Sequence, residues 1–232
     1  MDLGFLKEFG MENNPAFMNA ADFFAGLSAN ERVFLLIRHS IRRHITPSDT
    51  DNGAHVGLTD EGRELAISFG KLFPDGGAVY FSSPVGRCID TAKCIAEGRE
   101  LAGGPRVPEV TPLQCLGEFY VKDYEAYLEV LNEKFYPSIC AWIDSDNHPA
   151  FYPIHSRAEE LKQLMYEKGT ERFNIFSTHD AWVVPTLCHF CGFKFTPGCW
   201  MNYLTGLAFV VAPDGRERIV PVTGMPHGYI KF

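Results

Sequence analysis

Long apolar runs are missing from the 232-residue chain; the most continuous are no longer than Val33-Phe34-Leu35-Leu36-Ile37, too short to cross a bilayer. An excess of positive charge is missing as well. With 21 Lys and Arg against 29 Asp and Glu, the formal net charge is -8, which argues against a general nucleic-acid or anionic-membrane binder, since both need a basic footprint. No GxxxxGK[ST] loop is present, so a nucleoside triphosphatase of that type is disfavoured. Biased tracts, internal repeats and Asn-x-Ser/Thr sequons are also lacking, and the first residues carry acids where a secretory leader has bases. The seven cysteines are an odd number without framework spacing. A cytoplasmic protein with reduced thiols is expected.

What is present is the pattern of an ordinary globular chain, long enough to bury a sizeable core as one domain spanning 1–232. Leu3, Leu6 and Phe9, then Phe17, Ala21, Phe24 and Leu27, recur at spacings of three and four and predict an N-terminal helical segment over residues 1–30, split near Asn13-Asn14-Pro15. The run Val33 to Ile37 has strand length and stops abruptly at Arg38-His39. Thr59 then caps a helix, Ala78 to Phe81 reads as a strand, and Ser83-Pro84 reads as the cap and first residue of another helix. Residues 112–155 are aromatic-rich and irregular, predicting short helices in a small cap over the strand ends. Ser156 and Glu159 form a capping box, Phe173 to Ser177 a strand, and a helix after Asp180 closes at Gly192. Leu204 to Val211 and Ile219 to Val222, joined at Asp214-Gly215, predict a strand pair at a sheet edge. Strands alternating with helices imply an α/β three-layer sandwich, a mostly parallel sheet with helices on both faces.

In such sheets ligands bind beyond the carboxyl ends of the strands. His39 and His179 both fall there, with Arg38 and Asp180 beside them, Arg42 three residues on, and Arg87 in the first turn of the helix after Ser82-Ser83-Pro84. A cationic pocket with one acid suits a phosphate, whose oxygens match the guanidinium fork.

These residues also carry a resemblance. Leu36-Ile37-Arg38-His39-Ser40-Ile41-Arg42, the Leu58–Ala66 helix start, the Ser82–Ala92 stretch and Ser177-Thr178-His179-Asp180 stand in the order of the histidine phosphatase superfamily, which includes phosphoglycerate mutases and acid phosphatases. The likeness implies a phosphoglycerate mutase-like fold, His39 as nucleophile, Arg38, Arg42 and Arg87 as phosphate ligands, His179 as the partner of the transferring group, and no metal or organic cofactor. It implies a small phosphorylated substrate and no nucleic-acid or membrane partner; oligomeric state is not readable. The general acid is either Asp180, favoured because it adjoins His179 as in the acid-phosphatase branch, or Glu118, as in the mutase-like branch. Ser40 replaces the usual glycine and is expected to alter the turn.

The activity so implied is phosphomonoester hydrolysis through phosphohistidine; a mutase-like transferase and a non-catalytic phospholigand sensor are the alternatives. Cys188 and Cys191 form a lone C-x-x-C and read as buried helix thiols rather than a zinc site. His44, His55, His148, His155, His189 and His227 read as surface or substrate-rim residues.

Overall fold

The computed structural model describes residues 4–46, 48–105, 109–132 and 134–232. Its centre is β2 (Arg32–Arg38), where every residue after Arg32 is buried. A strand covered on both faces needs apolar residues at successive positions. Accordingly Val33, Leu35 and Ile37 enter one core cluster and Phe34 and Leu36 the other. On the first face lie α1 (Ala20–Ala25), α2 (Asp60–Gly70) and α3 (Gly86–Leu101), contributing Phe24, Phe69 and Ile95. On the second lie α4 (Tyr124–Asn132), α5 (Phe135–Ser145), α6 (Ile154–Lys168) and α7 (Asp180–Cys191), contributing Val130, Trp142, Leu161 and Trp182. The expected α/β architecture, a mostly parallel sheet with helices on both faces, is present.

The sheet also contains β1 (Met18–Asn19), β3 (Ala78–Ser82), β4 (Thr111–Pro112), β5 (Phe173–Thr178), β7 (Thr205–Val211) and β8 (Glu217–Thr223), in the order β1-β8-β7-β2-β5-β3-β4. Strands β2, β5 and β3 are parallel neighbours, with Arg38 opposite Thr178 and Ser82 opposite Ser177. Their carboxyl ends are therefore level. Strand β7 runs antiparallel on the other side of β2, with Gly206 opposite Ile37, so the residues just before β7 return to the same edge. A separate antiparallel pair is formed by β6 (Cys199–Met201) and β9 (Tyr229–Lys231).

Several local expectations are corrected. The N-terminal segment holds a 3-10 helix, Gly4–Phe9, and α1, but between them β1 joins the sheet beside β8. The β7–β8 pair is consequently flanked by β1 and does not form the edge. Leu3, part of the predicted stripe, lies outside the described residues. Helix α6 starts at Ile154 with no side-chain cap: Ser156 donates to the Pro153 carbonyl, and Glu159 pairs with His189. Helix α3 starts at Gly86, capped by Val85, which leaves Ser83 for another use.

Helices α2 and α3 pack closely because glycines face backbone. A Cβ on Gly98 would lie 1.9 Å from the Ile67 carbonyl oxygen, and one on Gly70 2.0 Å from that of Ile95. Gly98→Ala, which in an exposed helix would gain about 1 kcal/mol from propensity, should instead destabilise by about 1–3 kcal/mol, because the backbones must separate. Urea unfolding reads the sign directly, and a gain in stability would refute this packing.

Candidate active site

Register brings the chemistry together. The His39 amide donates to the Thr178 carbonyl at 2.9 Å and the Ser83 amide to the Ser177 carbonyl at 2.9 Å, so the three segments leave the sheet edge side by side. His39 is buried, 2 % exposed. Its Nδ1 lies 2.8 Å from the Ser40 carbonyl oxygen, which can only accept; Nδ1 therefore carries the proton and Nε2 the lone pair. The Arg87 Nε–H, which can only donate, points at that lone pair from 3.2 Å. Burial first, then Arg87, Arg38 and His179, hold His39 well below the usual histidine range, against the opposing Ser40 hydrogen bond. The ring is neutral and nucleophilic at Nε2.

The expectation that Ser40 alters the turn is overturned. It is not among the positive-φ residues, its Oγ donates to the Gly62 carbonyl at 2.7 Å, and its amide donates to Thr91 Oγ1 at 2.9 Å. Serine thus fixes the carbonyl that fixes the His39 tautomer.

His179 lies with its ring centroid 5.7 Å from that of His39. Its Nδ1 faces Arg87 Nη2 at 3.4 Å and its Nε2 contacts Ser83 Oγ at 3.0 Å, which assigns the proton to Nε2. Burial and Arg87, opposed by Asp180 and reinforced by Arg38 and Arg42, push it down to about 3. Arg87 also donates from Nη1 to the Gly53 carbonyl at 2.9 Å, so all three edges of its guanidinium face the site or its rim. Gly53 ends a left-handed run, φ 56°, 54° and 71° at Asp51, Asn52 and Gly53, which turns that carbonyl inward.

Arg38 is 2 % exposed. It pairs with Asp180 Oδ2 at 3.0 Å, donates to the Met201 carbonyl, and lies 4.2 Å over the Tyr203 ring. Arg42 is half-buried and donates to the Arg43 carbonyl at 2.9 Å. The Nε–H groups of Arg38 and Arg42 are both buried without an acceptor among the described residues. Asp180 additionally accepts from the Trp200 indole at 3.1 Å and the Ala181 amide at 3.1 Å. Burial pushes its carboxyl up, but Arg38, Arg42, His179 and Trp200 outweigh that and hold it below the usual carboxylate range.

Glu118 follows a 3-10 helix, Gln114–Gly117, anchored by Trp182 Nε1 on the Gly117 carbonyl at 2.8 Å and Thr178 Oγ1 on that of Leu116 at 2.6 Å. Gly117 packs on Pro84 and Ser83, the hydroxyl of which contacts His179; Glu118 is the next residue, exposed and without an ion pair among the described residues. Of the histidines expected at the surface or rim, exposed His55 pairs with Asp51 and Asp49. Cys188 and Cys191 are both free on α7.

The histidine phosphatase superfamily (branch 1) model matches residues 34–217. The chain belongs to this superfamily. In three dimensions it is similar to the mycobacterial glucosyl-3-phosphoglycerate phosphatase, at 14 % identity and TM-score 0.52, covering 83 % of this chain and 99 % of that one. It is also similar to phosphoglycerate mutase from Bacillus anthracis str. Sterne, at 16 % identity and TM-score 0.50, covering 83 % and 93 %. At such identity these likenesses establish the histidine phosphatase fold. No curated protein matches in sequence.

Ser83, Trp200, Tyr203 and the Gly53 carbonyl were not legible as site members. Ser83 alone had a signal, and a helix cap explained it as well. The electrostatics predict that NMR titration finds His39 protonating only well below the usual histidine range and His179 titrating near 3, whereas exposed His55, raised by its hydrogen bond to Asp51, titrates above the usual histidine range. An ordinary midpoint near 6.5 for His39 or His179 would contradict the arrangement.

Proposed function

We propose that this histidine phosphatase-superfamily member hydrolyses small phosphomonoesters through a phosphohistidine on His39. The observation that carries the reading is the His39 ring itself: neutral, with its lone pair on Nε2 and directed among Arg38, Arg87 and His179. Nε2 attacks phosphorus as the ester P–O bond breaks, and the imidazolium charge that grows on the ring is met by the Nδ1–H···O=C bond to Ser40. Arg38, Arg42 and Arg87 act as phosphate ligands. The buried Nε–H donors of Arg38 and Arg42 suit phosphoryl oxygens, and most phosphoryl-transfer catalysis consists of such charge stabilisation. His179, with its proton on Nε2 beside Ser83, supplies a further neutral donor. Water then attacks phosphorus, the N–P bond breaks, and inorganic phosphate leaves.

The leaving oxygen needs a proton, and the geometry favours Glu118 over Asp180. Asp180 is committed to Arg38, Trp200 and the Ala181 amide, and the field around it favours the ionised form. It is a positioning residue for Arg38. Glu118 has no such commitment, directly follows Gly117, which packs on Ser83, and can protonate the leaving oxygen and then take a proton from the attacking water.

Three measurements check this. Rapid quench should trap acid-labile, alkali-stable phosphate on His39, and His39→Ala should abolish it; normal turnover by that variant would end the covalent reading. Because the competent form of His39 is unprotonated and its pKa is lowered, the acid limb of kcat/KM on a substrate of fixed charge should fall below pH 6.5. Finally, Glu118→Gln should depress hydrolysis of an alkyl phosphate by about 10²–10⁴ while sparing p-nitrophenyl phosphate, whose leaving group needs little protonation. Asp180→Asn should impair both alike. Should the divergence appear in Asp180→Asn instead, the assignment of the acid is reversed.

A further inference from the structure

Three tyrosines pack against residues of the site or of its supports, and the mechanism assigns none of them a part in the chemistry. Tyr203 precedes β7, and its ring centroid is 5.8 Å from that of His39 while its face covers Arg38. Its place is enforced by the backbone: Leu204, fully buried, is held at φ +45°, a conformation that L residues avoid. Tyr136 on α5 packs at 5.0 Å against Trp200, the residue that donates to Asp180. Tyr127 on α4 packs at 5.8 Å against Trp182, which anchors the carbonyl preceding Glu118. Each ring is half-buried, and none of the three hydroxyls makes a hydrogen bond among the described residues. The charges acting on Tyr136 are those of Asp180, Arg38 and Arg42, and on Tyr127 those of Glu118, Asp180 and Arg87. Through these contacts Tyr203 and Tyr136 adjoin the His39, Arg38 and Asp180 part of the site, and Tyr127 adjoins the residue that holds the Gly117–Glu118 segment.

Resting on the phosphatase reading above, we propose that Tyr127, Tyr136 and Tyr203 select esters whose leaving group is an uncharged ring. Aromatic faces gain from a flat partner, and hydroxyls without partners suit a ring that carries its own hydroxyls. The same surroundings disfavour an anionic leaving group. In the proposed reaction Arg38, Arg42 and Arg87 are taken by the phosphoryl group and Asp180 by Arg38, which leaves the exposed Glu118 carboxylate as the unpaired charge among the described residues of the site, and it repels a second carboxylate. Sugar rings and aromatic rings share this chemistry.

The test compares kcat/KM on glucose 6-phosphate, phenyl phosphate, glycerol 2-phosphate and 3-phosphoglycerate. At least one ring ester should exceed both acyclic esters by tenfold or more. Tyr136→Ala and Tyr127→Ala should each lower the ratio of ring-ester to glycerol 2-phosphate kcat/KM by about tenfold, the scale of one lost aromatic contact. The phenylalanine variants distinguish the two sources. They keep the ratio if the ring is aromatic and lose it if the ring is a sugar hydrogen-bonded by the hydroxyl. Equal or better turnover of 3-phosphoglycerate, or a uniform loss on all esters in the alanine variants, overturns the proposal while leaving a phosphatase. Phosphate release from none of the esters would instead refute the phosphatase reading, and this proposal with it.

Discussion

A guanidinium enclosed at the end of a central strand constrains everything around it. Arg38 leaves β2 where the sheet is covered on both faces, and a charge so placed must be paired or the fold loses several kcal/mol. Three partners arrive from three places: Asp180 from the start of α7, the Met201 carbonyl from β6, and the Tyr203 ring from the approach to β7. Each is held in turn. Trp200 fixes Asp180, β9 fixes β6, and Asn202 is tied to the Gly228 and His227 carbonyls. The antiparallel return of β7 beside β2 makes this closure geometrically possible, because it delivers residues 200–204 to the edge from which Arg38 departs.

Burial and the neighbouring cations together set the protonation of the site. Burial first, and then the arginines in contact with the two imidazoles, make the imidazolium form costly, so His39 and His179 stay neutral without a general base to deprotonate them. One consequence is that Asp180, buried among those arginines, keeps its charge and serves as counter-ion. In the mechanism proposed above, proton delivery then falls to a carboxylate outside the cluster, and Glu118 is on the chain segment that lies against Ser83.

Much of this was legible because the chemistry sits where strands end. Apolar runs stopping at Arg38-His39 and Thr178-His179 mark parallel strands, and the level ends of β2 and β5 follow from register. Residues 112–155 were readable as helical but without boundaries. Tyr203, Trp200 and the β6–β9 pair were not readable, since their roles come from tertiary contacts with partners 20 to 165 residues away in sequence; Trp200 reaches Asp180, and Tyr203 reaches Arg38. Ser40 was misread for a different reason. A glycine in a family pattern suggests positive φ, but here the backbone is ordinary and the side chain is used, as a donor to Gly62.

Arg87 shows how the site can change state without rebuilding its frame. Its three donor edges are spent on His39 Nε2, His179 Nδ1 and the Gly53 carbonyl, two of them on the imidazoles that the reaction needs. A phosphoryl group carries more negative charge than either neutral ring, so in the proposed reaction charge-assisted bonds to it would outcompete those two. The bond to Gly53 is made on a separate edge and need not break, which keeps the side chain anchored by the left-handed Asp51–Gly53 turn while its other edges exchange partners. In the proposed reaction, releasing Nε from His39 is what would expose the lone pair on Nε2. Phosphate binding and activation of the attacking nitrogen would then be a single event at one side chain.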